Sequence, residues 1–168
     1  SAFSTGGNLE LSSAGGFITG RAGLGIGAAF YSSGGYKYSA AGNLSATIFL
    51  PNPDGTFQWR NNGTPATKAV GDAITFSTVM TLDSSGNLGL GVTPSSWSGV
   101  LPALQVLNAS FVGYNNQAIL SSNWYYNSGN KYIANGYATQ YTQTSGQHIW
   151  YTAPSGTAGN AITFTQAM

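Results

Sequence analysis

The stretch that decides the fold occurs twice in this chain of 168 residues. Residues 71–80 read GDAITFSTVM, and residues 159–168 read GNAITFTQAM. Residues 4–11, STGGNLEL, are in turn similar to residues 83–90, DSSGNLGL. Repeats of this kind bury a continuous core only when copies stack on one another. We therefore expect a chain of repeat units cut from a longer array.

The similarities predict two units, residues 2–80 and residues 81–168. Their middle parts correspond as well, because residues 55–59 read GTFQW and residues 146–150 read GQHIW. This alignment sets the single histidine, His148, against a phenylalanine of the first unit. Differences in length fall in polar loops, where insertions are tolerated.

The composition is unusual for a globular domain. Charged residues make up 5% of the chain, against a typical share of about 25%. Leu, Ile, Val and Phe together supply about one fifth of the residues, which is low. Disorder does not fit either, because aromatic residues make up 13% and the net charge is only +1. We expect several copies of the chain to share one core.

The charges and the lack of cysteine exclude several classes of protein. The cations are scattered along the chain, whereas nucleic-acid binding requires clustered ones, so no nucleic-acid partner is expected. There is no cysteine, and hence no disulfide framework or thiolate metal site. No apolar stretch is long enough to span a bilayer, so no membrane insertion is expected. The five cations are Arg21, Lys37, Arg60, Lys68 and Lys131.

Strands are the expected secondary structure throughout. Helical periodicity is missing, while glycine, β-branched and aromatic residues recur. Residues 44–50 alternate between the two faces of a strand, which residues 51–55 then break with two prolines and an Asp-Gly turn. The chain is predicted to be all-β.

A hairpin is predicted at residues 83–87. The sequence DSSGN fits a three-residue loop with Gly86 in the left-handed conformation, and Asp83 can accept backbone hydrogen bonds in such a turn. The predicted pairs are Leu82 with Leu88, Met80 with Leu90 and Thr78 with Val92.

The other face of this hairpin carries two glycines. Thr81 lies opposite Gly89, and Val79 lies opposite Gly91. Glycine weakens a strand unless something approaches it closely, so we expect a neighbouring chain to pack against these four residues. The alternative is that the glycines relieve strand curvature.

A second hairpin is predicted around Asn135-Gly136, a strong two-residue turn signal. It would place Tyr132, Tyr137 and Tyr141 on one face. A buried aromatic ladder is the favoured interpretation, and a solvent-facing platform for sugars is the alternative.

Few residues are suited to catalysis. The acids are Glu10, Asp54, Asp72 and Asp83, and no two are placed as the facing pair that glycoside hydrolysis needs, although a pair from two chains stays open. His148 alone cannot form a transition-metal site. We therefore expect no enzyme, no cofactor and no metal site, with calcium sites built from amide and carbonyl oxygens left open.

Residues 80–95, MTLDSSGNLGLGVTPS, resemble a repeat of bacteriophage tail-fibre and tail-spike proteins, T-L-D-x-x-G-N-L-G-I-G-T-x-x-P-S. Val92 in place of Thr and the long loop after Pro94 depart from that pattern. The resemblance implies an elongated, repeat-containing β-structure, an intertwined or side-by-side homotrimer, located on the virion and therefore extracellular. No chaperone domain is visible, so chaperone function is not transferred.

The resemblance implies a structural and adhesive segment of a phage-like tail fibre that presents a host-receptor-binding surface. Its partners would be sister chains, neighbouring fibre segments and a host glycan or protein receptor. Aromatic residues beside loops are the candidate ligand contacts: Trp97, Tyr114, Trp124 and Tyr125. The alternative is a carbohydrate-binding module or adhesin of a bacterial surface protein. A polysaccharide depolymerase would release oligosaccharides from host capsule, and no release is expected.

Overall fold

The computed structural model describes residues 24–27, 29–32, 35–38, 40–98 and 101–168. Within these ranges the chain forms strands and no helix, so the all-β prediction is confirmed. Consistently, the described residues include no helix of the length and apolarity that crossing a bilayer requires. The sequence similarity of residues 4–11 and the acid Glu10 lie outside the described residues.

The described strands, in chain order, are β1 (Leu24–Gly27), β2 (Ala29–Ser32), β3 (Gly35–Tyr38), β4 (Gly42–Leu44), β5 (Ala46–Pro51), β6 (Phe57–Asn61), β7 (Ala66–Lys68), β8 (Ser77–Leu82), β9 (Leu88–Leu90), β10 (Ala103–Val106), β11 (Ala109–Tyr114), β12 (Gln117–Ser122), β13 (Trp124–Tyr126), β14 (Asn130–Tyr132), β15 (Gly136–Thr144), β16 (Gln147–Gly156) and β17 (Thr165–Gln166).

Eleven of these strands form one sheet, in the order β1-β5-β6-β8-β9-β10-β11-β12-β15-β16-β17. Its neighbours pair antiparallel except β9 and β10, which are parallel. Parallel neighbours need a crossover connection, which residues 91–102 provide without a described helix. Three two-stranded ribbons, β13-β14, β2-β3 and β4-β7, complete the described strands.

The crossover and the β13-β14 ribbon pack on one face of the sheet and form the larger core with it. Side chains alternate between faces along a strand, so in β11 Ser110 and Val112 are buried while Phe111 is exposed. A smaller core contains, among the residues whose burial the structure describes, Tyr38, Ala46 and Ile74. The larger core consists of Trp97, Leu101, Ala103, Val112, Ile119, Trp124, Tyr132, Ala138, Ala153 and Ile162.

The hairpin at residues 83–87 forms as predicted. Gly86 has a φ of 85°, and Asp83 Oδ1 accepts hydrogen bonds from the backbone N–H groups of Ser85 (2.9 Å) and Asn87 (2.8 Å). Leu82 pairs with Leu88 and Met80 with Leu90. The ladder ends there, short of the predicted pairing of Thr78 with Val92, because Gly91 turns into the crossover with a φ of 66°.

The predicted reason for the glycine at position 89 is corrected by the structure. A Cβ atom on Gly89 would meet the carbonyl oxygen of Val92 and lie 2.8 Å from Pro94 Cδ. The crossover of the same chain therefore makes the close approach. Gly89 and Thr81 are buried beneath it, so they are not available to a neighbouring chain in this fold.

The other two predicted interface residues border the crossover. A Cβ atom on Gly91 would lie 3.2 Å from Leu107 Cδ2, a contact within the same chain. Val79 remains 39% exposed.

The hairpin predicted around Asn135-Gly136 is wrong. β14 pairs with β13 instead, and β15 lies between β12 and β16. Asn123 determines this path, because its Oδ1 accepts from Ala134 N (2.7 Å) and its Nδ2 donates to Tyr137 O (3.1 Å). Tyr132 is consequently buried, whereas Tyr137 is 73% exposed, and the predicted ladder does not form.

Two parts of the chain make corresponding hydrogen bonds. Tyr38 N donates to Asp72 O (3.0 Å), and Tyr132 N donates to Asn160 O (3.2 Å). The same correspondence holds for the next bonds: Gly71 N to Tyr38 O and Ile74 N to Tyr36 O in one part, Gly159 N to Tyr132 O and Ile162 N to Asn130 O in the other.

The aromatic pairs of these two parts also correspond. Phe49 and Trp59 have ring centroids 4.9 Å apart and an interplanar angle of 44°, and Tyr141 and Trp150 have 4.9 Å and 40°. A third ring stacks on each pair. It is Phe57 in the first, 5.8 Å from Phe49, and the imidazole of His148 in the second, 5.9 Å from Tyr141.

Candidate functional site

A cleft of about 490 Å³ lies on the covered face of the main sheet. One wall is the sheet itself, where β11, β12, β15 and β16 run side by side. The other wall is formed by the β13-β14 ribbon, Leu101 and Phe164. Its lining residues are Leu101, Tyr114, Gln117, Ile119, Trp124, Tyr126, Asn130, Gln140, Thr142, Thr144, Tyr151 and Phe164.

The sheet wall of the cleft is largely polar. Gln140, Thr142 and Thr144 follow one another on the same face of β15, as the two-residue period of a strand requires. Gln117 of β12 lies directly opposite Thr144. Amides and hydroxyls offer both donors and acceptors, so this wall can form several hydrogen bonds with a ligand.

Aromatic rings line both walls of the cleft, with Tyr114 and Tyr151 on the sheet side and Tyr126 and Phe164 on the other. Tyr151 and Phe164 have centroids 6.1 Å apart, and Tyr114 at the end of β11 is 39% exposed. Trp124 is fixed from within the ribbon, because its Nε1 donates to Asn130 Oδ1 at 2.8 Å. Asn130 itself also lines the cleft.

Buried hydrogen bonds hold the crossover beneath this wall. Gln105 is fully buried, and its Oε1 accepts from Ser95 N (2.9 Å) and Trp97 Nε1 (3.1 Å). Its Nε2 donates to Leu107 O (2.8 Å). Trp97 is thereby positioned edge-on to Trp124, which lines the cleft, with ring centroids 5.3 Å apart.

A second, polar depression of about 430 Å³ continues from the cleft. Gln117 and Thr144 line both. Part of its lining, Asn116, Ser145 and Gly146, belongs to two tight turns, in which Asn115 and Ser145 adopt positive φ values of 48° and 50°. Another part, Ala118, Gln143 and His148, lies on the opposite face of the sheet from the cleft. The two depressions together form a groove that leads to the tips of the hairpins.

The four predicted ligand contacts have different positions in the structure. Trp97 and Trp124 are buried in the larger core, so the prediction that they form an exposed adhesive surface is wrong, although Trp124 lines the cleft. Tyr125 is partly buried, with its ring centroid 6.2 Å from that of Trp97, and it does not line the cleft. Tyr114 is exposed and lines the cleft.

The polar residues of the cleft were not predicted. Nothing marks Gln117, Gln140, Thr142 or Thr144 in a chain so rich in amides and hydroxyls. The usable signal was the pair of turns Asn115-Asn116 and Ser145-Gly146, which set the register that brings these residues together.

The opposite face of the main sheet is apolar and open. Side chains that are direct neighbours across the strands share a face, and eight of them cross eight successive strands without a polar interruption. We call these residues the apolar row: Phe57, Leu82, Leu88, Leu104, Phe111, Leu120, Tyr141 and Trp150.

The apolar row is exposed to solvent along much of its length. Phe111 is 52%, Leu120 56% and Trp150 43% exposed. A depression of about 210 Å³ beside Phe111 and Leu120 is lined almost entirely by apolar atoms. A second line of paired side chains, Phe49, Trp59, Met80, Leu90 and Val106, flanks the row.

No charged residue of the described part of the chain lines the cleft or belongs to the apolar row. Asp54 lies in the turn between β5 and β6, where hydrogen bonds from the hydroxyl and backbone N–H of Thr56 lower its pKa from the ordinary value of 3.8. Asp83 accepts backbone hydrogen bonds within the β8–β9 turn, and Asp72 accepts a hydrogen bond from Ala69 N. Across the described ranges, no three His, Asp or Glu side chains cluster as a metal site would require.

Comparison with protein-family models, with curated proteins and with solved structures finds no match to this chain.

Proposed function

We propose that this chain is a structural and adhesive segment of a phage-like tail fibre, which assembles through the apolar row into a homotrimer on the outside of a virion. The observation that carries the proposal is the open apolar face. Soluble monomers rarely expose a contiguous apolar patch larger than a few hundred Å². Eight adjacent apolar side chains across one sheet face therefore favour an additional covering layer.

Sister chains are the proposed covering layer. Neither the row nor the line that flanks it contains a charged side chain, as expected for the centre of a permanent interface. Three copies, as the tail-fibre resemblance implies, would form either side-by-side or intertwined sheets around one axis.

The proposal also includes two repeat units, residues 2–80 and 81–168. The corresponding hydrogen bonds of Tyr38 and Tyr132 support it. So do the aromatic pairs Phe49–Trp59 and Tyr141–Trp150. Such units can be joined in series, which is how an elongated shaft with neighbouring fibre segments would be built.

The proposed role is mechanical and adhesive rather than catalytic. None of the described carboxylates, Asp54, Asp72 and Asp83, lines the cleft. Three copies would present three clefts, and weak contacts become strong when several engage together.

The cleft on its own also fits a carbohydrate-binding module or adhesin of a bacterial surface protein. The two functions differ in what they require of the apolar row, since a single module needs no sister chains.

The mass of the chain in solution tests the proposal. Light scattering over a dilution series is expected to give three times the chain mass of 17.3 kDa, with little dissociation at micromolar concentration. A stable, folded species of 17.3 kDa would contradict the proposed assembly and favour the single-module function.

A further inference from the structure

We propose that the cleft, with the polar depression that continues from it, binds an uncharged oligosaccharide. The inference rests on the adhesive part of the proposed function and names the class of ligand for it. Its volume of about 490 Å³ lies within the range of about 300–1,000 Å³ that is usual for small-molecule sites.

The absence of charged residues from the lining favours an uncharged ligand. All twelve lining residues are apolar, aromatic, amide or hydroxyl residues. A carboxylate or phosphate that entered the cleft would lose water without meeting a cation, which is unfavourable. Neutral sugar hydroxyls avoid this cost when hydrogen bonds with the lining replace their hydrogen bonds with water.

The polar wall has free hydrogen-bonding capacity. The side chains of Gln117, Gln140, Thr142 and Thr144 make no hydrogen bond with another described residue. Each amide has two donors and an acceptor with two lone pairs, and each hydroxyl can donate and accept. Sugar hydroxyl groups have the same dual character, so neighbouring hydroxyls of one ring can bind neighbouring groups of this wall.

The aromatic rings of the cleft suit the apolar faces of a sugar ring. Tyr114, Tyr126, Tyr151 and Phe164 bring flat rings to the cleft, and the C–H faces of a pyranose are apolar. An aromatic ring combines a large apolar surface with, in tyrosine, a polar end that can bind a hydroxyl. One ligand class satisfies both the polar groups and the aromatic rings of the lining.

The continuation of the cleft indicates a ligand of more than one sugar. The second depression adds about 430 Å³, shares Gln117 and Thr144 with the cleft, and is lined mainly by amide and small polar residues. A chain of sugars can follow this groove toward the tips of the hairpins, whereas a compact apolar ligand would fill the cleft alone.

Assembly through the apolar row leaves the cleft open. Gln140 and Thr142 line the cleft, while Tyr141 between them belongs to the apolar row on the other face of β15. The cleft and the apolar row therefore use different faces of one sheet, and cleft residues can be changed without altering the row.

An oligosaccharide array tests the inference on the intact chain. The array carries uncharged oligomers of glucose, galactose and mannose beside oligomers that contain uronic or sialic acid. We expect binding to uncharged oligomers, followed by calorimetric titration of the best one. Gln140→Ala and Tyr114→Ala should each weaken binding at least ~10-fold, the equivalent of one lost hydrogen bond or ring contact.

Tyr137→Ala is the matched control, because Tyr137 is 73% exposed and lies outside the cleft; its affinity should stay within about twofold of the parent chain. The mass of each variant is measured first, and Thr144→Val replaces a cleft variant that fails to assemble. Binding only to acidic oligomers, to none, or with equal loss in the control would overturn the inference. A trimer that binds no oligosaccharide refutes the cleft assignment alone, and a monomer that binds one refutes the assembly alone.

Discussion

Leu120→Asp should weaken assembly without unfolding the single chain. Leu120 is 56% exposed and is flanked in the apolar row by Phe111 and Tyr141. Burying a whole leucine side chain contributes about 1.5–3 kcal/mol, so covering the exposed half adds about 1–1.5 kcal/mol per chain. Three chains then lose at least about 3 kcal/mol, and burying the new carboxylate costs more.

The assay is sedimentation equilibrium of both proteins over a wide range of concentration. A loss of about 3 kcal/mol lowers the association constant by at least ~100-fold, which appears as dissociation at concentrations where the parent chain remains assembled. The circular dichroism spectrum should retain its β-sheet form, because Leu120 contributes little to the core of a single chain.

Val70→Asp is the matched control. Val70 is 65% exposed and lies in the turn after β7, outside the apolar row, so the same change of charge should leave the association constant unaltered. Equal association constants for Leu120→Asp and the parent chain would refute the claim that sister chains cover the row.

Three further predictions concern stability. In denaturant unfolding, Gly89→Ala should lower the free energy of unfolding by about 1–3 kcal/mol, because its Cβ would press on the crossover. The control Gly113→Ala has nothing within 4 Å of the new Cβ and should change this free energy by less than about 0.5 kcal/mol. Equal effects of the two substitutions would contradict the packing of the crossover on Gly89. Thr81→Val should raise the free energy of unfolding by about 1 kcal/mol in the same assay, because the buried Thr81 hydroxyl has no hydrogen-bond partner among the described residues, and a loss of stability would reveal a partner. Asp54→Ala should destabilise the chain above pH 3.8, because a carboxyl group with a lowered pKa stabilises the fold only while it is ionised. The difference in stability between variant and parent chain should disappear as the pH falls through the lowered pKa of Asp54. A difference that does not depend on pH in urea unfolding would show that the charge of Asp54 is not involved.

Local turn chemistry could be predicted from the sequence. The hairpin at residues 83–87 was predictable because Asp83 and Gly86 satisfy the turn with their own side chain and backbone conformation. The same is true of the break at residues 51–55, where Asp54 accepts from Thr56. Such signals depend on residues close together in the chain.

Features set by distant contacts could not be predicted. Asn135-Gly136 has the sequence of a hairpin, but Asn123 binds the backbone on both sides of it and diverts the chain. The sequence predicts a chain interface at Gly89 because nothing in its own strand shows that Val92 and Pro94 cross back over it. Both errors arise where tertiary contacts override a local preference.

The candidate site was predicted only in part for the same reason. Aromatic residues beside loops are conspicuous in a sequence, but the sequence does not show which of them are exposed. In the fold Trp97 is buried and Tyr114 is exposed. The polar wall of the cleft depends on the pairing of β12 with β15, which sequence periodicity alone does not specify.

The most direct measurement of the central claim is the reactivity of a single thiol in the apolar row. The chain has no cysteine, so Leu120→Cys and Val70→Cys each introduce one reporter at a position more than half exposed in the single chain. With the protein at assembling concentration, the thiol at position 120 should react with a maleimide at least ~10-fold more slowly than the thiol at position 70, and the difference should shrink on dilution. Equal rates at every concentration would show that the apolar face stays open to water and would contradict the account.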